Sequence, residues 1–371
     1  MMHDRRSFLA LAATAAAAPA VAELSPADPL AGKIVVNALG GLGDPNIEGE
    51  GDPFTPRVLA EAHASGLTAV NTTLGYVAGP GDPFEKSVRD VAEYDAFLRA
   101  HPNDLLKVFT ANDIRRARDQ GRIGIIYGFQ NGAMMGNDVT RVDLFANMGV
   151  RIFQLTYNPL NQLGGGSMAP GNPGLTPFGR DVVARLNDRH VMVDLSHSGT
   201  QTCLDAARAS KAPISINHTG CRALVDLPRN KTDEELRLVA SRGGFVGIYF
   251  MPFLDPHGHA HAADVVAHID HAVKICGEDH VGIGTDGSVT QIDDLQKYAA
   301  ALAKENAERR ATGVAAPGEG PDTYPFTVDL RGPDQFRKLA RLLGERGHTP
   351  RQVEKILGLN FLRFATDIWG A

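Results

Sequence analysis

The chain has 371 residues, 43% of them hydrophobic and 22% charged, with a formal net charge of −6. That length and apolar content suffice for a sizeable core, and single α/β barrels are common at this size. The mild acidity supplies no basic face for nucleic acid and no charged tail of the kind that stays unfolded.

Residues 1–22 read as an address. Arg5 and Arg6 are paired and followed by Phe8 and Leu9. An apolar run then reaches Ala18, and Pro19 precedes the small-residue site Ala20-Val21-Ala22. This is the pattern of a twin-arginine export signal cleaved before Glu23, so a periplasmic or exported protein is expected, with 23–371 as one domain. The apolar run is shorter than the roughly 20 residues a spanning helix needs. No other stretch reaches that length, and no transmembrane segment is expected.

Past the signal, short β-branched runs alternate with helical stretches, as in a parallel α/β fold. The runs lie at 33–37, 67–73, 123–129, 151–156, 191–195, 213–217, 245–250 and 280–285. Eight is the number of strands in a (β/α)8, TIM-like barrel. Amphipathic segments such as 176–188, 233–242 and 263–276 fit the crossover helices. The Gly- and Pro-rich stretches 161–174 and 313–331 read as long loops, either of them a lid or slack chain. Residues 349–369 show two short helical patterns separated near Gly358, with the single Trp369 expected to pack on the outside of the barrel. Cys203, Cys221 and Cys276 are far apart with no CxxC spacing, which argues against a thiolate zinc site or a disulfide framework and for buried, unpaired thiols.

Barrel enzymes assemble their sites from residues just past the strand C-termini. Here those are Asn37, Gln130, Tyr157, Asn158, His197, His218 and Asp286. A lone strand-end histidine is more often structural than a ligand. His197 and His218, however, close two consecutive strands and should lie side by side, with Asp286 across the mouth. Two imidazoles and a carboxylate suit a single zinc or similar ion. His257, His259 and His261 alternate in a Gly/Ala loop and read as solvated. His268 and His271 sit on a helix away from the strand ends, as helix core and surface. Ser196 lacks the Gly-x-Ser-x-Gly setting of a serine nucleophile.

Several segments together resemble the membrane (renal) dipeptidase family, peptidase family M19. They are Gly174-Leu175-Thr176-Pro177-Phe178-Gly179-Arg180, Val193-Asp194-Leu195-Ser196-His197, Ala212-Pro213 through Asn217-His218, Pro228-Arg229-Asn230, Gly282-Ile283-Gly284-Thr285-Asp286 and Ile356-Leu357-Gly358-Leu359-Asn360-Phe361. The resemblance implies a metallo-dependent-hydrolase barrel in which a glutamate and a hydroxide bridge two zinc ions and the hydroxide attacks a dipeptide carbonyl. It gives His197 and His218 the place of one zinc site's histidines and Asp286 that of a proton-transferring aspartate. Arg229 takes the place of the arginine that holds the substrate carboxylate, a task a guanidinium fork suits. Family members are commonly dimers, so a homodimer is implied.

The departures from the family pattern bear on the same site. The His-x-Asp pair expected after strand one falls near 36–41, where Leu39 and Gly41 stand instead. Gln130 replaces the bridging glutamate, and Tyr157 replaces a histidine that polarises the substrate carbonyl. Two dications a few Å apart need several anionic ligands, so a two-zinc centre is not expected. What remains is either one ion on His197, His218 and Asp286 or a metal-free polar pocket. The expectation is an exported hydrolase of a small amide or dipeptide with at most one metal. Asp286 and Tyr157 are its catalytic candidates, and Arg229, Asn158 and Gln130 its substrate-binding ones. The alternative is a non-hydrolytic member that binds or rearranges a peptide-derived metabolite.

Overall fold

The structure, a computed structural model, describes residues 28–47, 51–313, 315–320 and 322–371. The paired arginines and the Ala20-Val21-Ala22 site lie outside the described residues. Eight parallel strands form the wall: β1 Val36–Gly40, β2 Ala69–Leu74, β4 Ile123–Phe129, β5 Val150–Gln154, β6 Met192–Asp194, β7 Ser215–Thr219, β8 Phe245–Ile248 and β9 Val281–Ile283. A ninth, β3 Leu105–Lys107, runs beside the first three residues of β4, and β5 pairs with the later ones. Every residue of β4 is buried, as befits a parallel strand covered by helices on one face and lining a filled barrel on the other.

The wall closes between β1 and β9 through one side-chain clasp and a few backbone bonds. Asn37 accepts from the Thr285 backbone N–H at 2.8 Å and donates to Thr285 Oγ1 at 2.8 Å. Farther along, the backbone N–H of Asp286 donates to the Leu39 carbonyl (2.9 Å) and that of Gly41 to the Gly287 carbonyl (3.2 Å). Asn37 therefore sits within β1, which starts three residues later than its apolar run suggested, and it works as a clasp rather than as part of the mouth.

The expected helices are present as Pro177–Asp188, Asp233–Ser241 and Ala262–Cys276. Thr176 Oγ1 accepts from Gly179 N at the first, and Thr232 forms a reciprocal cap with Glu235 at the second. The C-terminal segment differs from the two separate helices expected. Pro350–Glu354, a π-helical turn Lys355–Leu359 and Asn360–Trp369 run on without a break. Gly358 is there for close approach rather than as a breaker: a Cβ on it would lie 2.3 Å from the Ile34 carbonyl oxygen. The last helix touches β1, β6, β8 and β9. Its Trp369 donates to the Arg151 carbonyl at 3.2 Å, and Phe361 packs edge-on against Phe245. That plugs the N-terminal end of the barrel and leaves the opposite mouth for function. Cys203 and Cys221 are buried, Cys276 is partly so, and all three thiols are free. No helix among the described residues is long and apolar enough to cross a membrane.

Candidate active site

The mouth is organised by the buried carboxylate of Asp194 at the end of β6. Its Oδ1 accepts from the Ser196 N–H (3.0 Å), the Ser196 hydroxyl (2.5 Å) and the Asn217 N–H (3.0 Å). Ser196 Oγ in turn accepts from the His218 N–H at 3.1 Å. These bonds lock the ends of β6 and β7 together, so the His197 and His218 rings meet at 5.0 Å between centroids. Tyr157, from the loop after β5, stacks on the His197 ring at 4.2 Å between centroids.

His197 is committed at both ring nitrogens. Nδ1 lies 2.7 Å from Asn158 Oδ1 and Nε2 lies 3.1 Å from Arg229 Nη2. A guanidinium can only donate, so Nε2 is the acceptor, and the ring proton sits on Nδ1 and is given to Asn158. Arg229 itself is 2% exposed and also donates from Nη1 to the Ser196 carbonyl at 2.7 Å. His218 contrasts with it: fully buried, it has no hydrogen-bond partner on either ring nitrogen. Burial, reinforced by the positive charges of Arg229 and Lys231, holds both imidazoles well below their usual pKa, so both are neutral.

Asp286, just past β9, adopts a left-handed backbone conformation (φ 59°), a strained position for a non-glycine residue and one that marks functional turns. Burial pushes its carboxyl up to about 6, even though the Arg229 and Arg309 charges pull the other way. With Leu39, Gly41 and Thr73 it lines a cavity of about 350 Å³. Gln130 reaches the same wall, its Nε2 donating to Thr73 Oγ1 at 2.7 Å.

Arg309 had no signal in the sequence. It lies on the helix Leu295–Ala311 that follows β9, where charged residues occur on every side. A two-pronged ion pair with Glu319 (2.9 and 2.9 Å) fixes it, and its positive charge acts on the Tyr157 phenol, whose pKa burial raises. The stretch after residue 313 thus supplies an anchor for a cation over the mouth. A second unanticipated feature is the buried Lys231–Glu235 pair at 3.5 Å, with the Thr200 and Thr232 hydroxyls on Glu235. The other histidines behave as expected. His257, His259 and His261 are exposed, while His268 is buried, accepting from the Cys221 N–H and donating to the Leu254 carbonyl.

A closed parallel barrel with its polar cluster at the strand C-termini is the architecture of the metallo-dependent hydrolases. The chain belongs to the membrane dipeptidase family, peptidase family M19, whose model matches residues 58–314. It is 31% identical to an amidohydrolase from Pseudomonas aeruginosa of known crystal structure, with a TM-score of 0.79, covering 94% of this chain and all of that one. It is 30% identical over 263 residues to dipeptidase tcpJ of Claviceps purpurea, spanning 70% of this chain and 54% of the relative. The probable dipeptidase PvdM from Pseudomonas aeruginosa, 21% identical with a TM-score of 0.73 over 92% of this chain and 96% of its own, shares the fold.

Members of this family are zinc metallopeptidases, and the residues at this mouth do not fit a two-zinc centre. Leu39 and Gly41 offer no ligand, and Gln130 is a neutral amide spent on Thr73. On the histidine side, a guanidinium donates to His197 Nε2, where an ion would have to bind, and places a positive charge beside it. Among the described residues no group of three or more His, Cys, Asp or Glu side chains is drawn together as a metal cage.

Proposed function

We propose that this protein is an exported, dipeptidase-like hydrolase of a small amide carrying a carboxylate, with at most one metal ion and weak action on simple dipeptides. The observation that carries the reading is Asp286, a strained, largely buried carboxyl that burial pushes up to about 6, at a mouth where the Arg229 and Arg309 charges also act on it. A carboxylate titrating there can take a proton from a water attacking the amide carbon and return it to the departing amine. The two guanidiniums offset the substrate's carboxylate and the charge that develops on the carbonyl oxygen, with the Tyr157 phenol beside them. Without two metal ions to activate the water, this chemistry starts from a poorer nucleophile.

The test is hydrolysis of a dipeptide panel by the wild type, Gln130→Glu, and Leu39→His/Gly41→Asp/Gln130→Glu, each with added zinc. A Cβ on Gly41 would meet nothing within 4 Å, so that aspartate has room. The single change leaves turnover low, because the strand-one ligands stay absent. The triple change raises it. Robust zinc-dependent turnover by the wild type, abolished by Asp286→Asn, overturns the reading. A second reading, a non-hydrolytic member that binds a peptide-derived metabolite, is favoured by Gln130 and by the Arg229 contact. It is supported if no amide turns over while carboxylate ligands still bind.

A further inference from the structure

Beside Asp286, away from the histidine pair, a cavity of about 170 Å³ opens between the barrel and the segment after β9. Its wall is largely apolar: Phe250, Ile292, Tyr298, Phe326 and Leu330 line it, with the Tyr298 and Phe326 rings 5.7 Å apart. An apolar space of roughly 150 Å³ holds a benzene ring, so a ring-sized group fits. Thr285, Asp286, Ser288, Thr290, Arg331 and Gln335 add polar groups to this lining, and two of them hold a buried polar atom without a partner. Thr290 is 3% exposed, and its hydroxyl is buried without a partner. Arg331 sets its guanidinium 5.5 Å over the Phe326 ring and has a buried Nη1 without a partner. No carboxylate pairs with Arg331 among the described residues; its Nε donates to the Val328 carbonyl.

Leaving a hydroxyl and a guanidinium N–H buried and unpaired costs free energy that a ligand acceptor would recover. Asp286 lines both this cavity and the larger one at the mouth, so a substrate with its amide at Asp286 has a side chain within reach of the ring-sized space. We propose that this cavity is the side-chain subsite for the substrate, and that it takes an aromatic ring bearing an oxygen acceptor, the 4-hydroxyphenyl group of a tyrosine-like residue. Thr290 and Arg331 donate to the ring oxygen while Phe326, Tyr298 and Leu330 enclose the ring. The inference deepens the hydrolase reading, resting on it for the position of the amide, and names the substrate class.

The experiment reads binding, so it does not depend on turnover. The full chain is titrated by calorimetry with N-acetyl-tyrosine, N-acetyl-phenylalanine and N-acetyl-alanine in both hands. The expected order is tyrosine about tenfold tighter than phenylalanine, the worth of one such hydrogen bond, with alanine weakest. Thr290→Val, nearly isosteric, and Arg331→Met each remove most of the tyrosine-over-phenylalanine preference and keep that for phenylalanine over alanine. Leu330→Trp fills the space and removes the second preference, and an unchanged unfolding midpoint in each variant shows that the fold is intact. Equal affinities for the three probes, no binding of any, or preferences untouched in the variants overturn the assignment. Failure to hydrolyse any amide, with these preferences intact, sinks the hydrolase reading and leaves the subsite standing.

Discussion

Arg229 donates from Nη2 to His197 Nε2 at 3.1 Å, which leaves the ring proton on Nδ1 and occupies the lone pair a metal ion would need. Removing the guanidinium should reverse the latter. In Arg229→Met the Nε2 lone pair is freed, and the His197–His218 pair should bind cobalt(II) more tightly than the wild type does, read as a visible-absorption titration. Adding His218→Ala to that variant should abolish the gain. Equal cobalt affinity in wild type and Arg229→Met would show that the guanidinium is no obstacle.

The raised pKa of Asp286 has a definite sign. Its folded value, about 6, lies above the ordinary 3.8, so the folded state binds the proton more strongly and stability falls as pH rises between roughly 4 and 6. Asp286→Asn mimics the neutral form. It should match the wild type below pH 4 and exceed it above pH 6 by on the order of 1 to 3 kcal/mol, from 1.36 kcal/mol per pH unit discounted for partial exposure. Urea midpoints at pH 4 and 7.5 check this. A variant less stable than the wild type at pH 7.5 contradicts it. If Asp286 is the base, kcat/KM of the wild type should also fall below pH 6.

Of the eight apolar runs, all became wall strands, and 123–129 coincides with β4. Such runs are legible because a parallel strand buried on both faces has few polar positions. β3 was not, since three residues show no period. Gly358 was misread because close approach to the Ile34 carbonyl and helix breaking call for the same residue. At the site, Tyr157, His197, His218, Arg229 and Asp286 were legible from strand-end position and family resemblance. Arg309 was not, because a loop anchor at Glu319 aims it. The direction of the His197–Arg229 bond was also beyond reach, since it depends on how a loop folds back.

The Lys231–Glu235 pair is almost fully buried, with side chains 2% and 1% exposed. Breaking such a pair leaves an uncompensated charge and costs about 3 to 5 kcal/mol. Lys231→Met should lower the unfolding free energy by that order, and Lys231→Met/Glu235→Leu should lose less than either single change. A single-variant loss under about 1 kcal/mol would show that the pair carries no such penalty.

The proposed export rests on Arg5 and Arg6. Changing both to lysine should strand unprocessed protein in the cytoplasm, seen by fractionation and N-terminal sequencing. Protein beginning at Glu23 outside the membrane in that variant contradicts the twin-arginine assignment.

This dipeptidase-family mouth is proposed not to be built around two zinc ions. Elemental analysis of the full-length wild-type protein, purified from zinc-supplemented cells without chelator, tests it most directly. At most one zinc per chain is expected, lost on His218→Ala. A stoichiometry near two would contradict it.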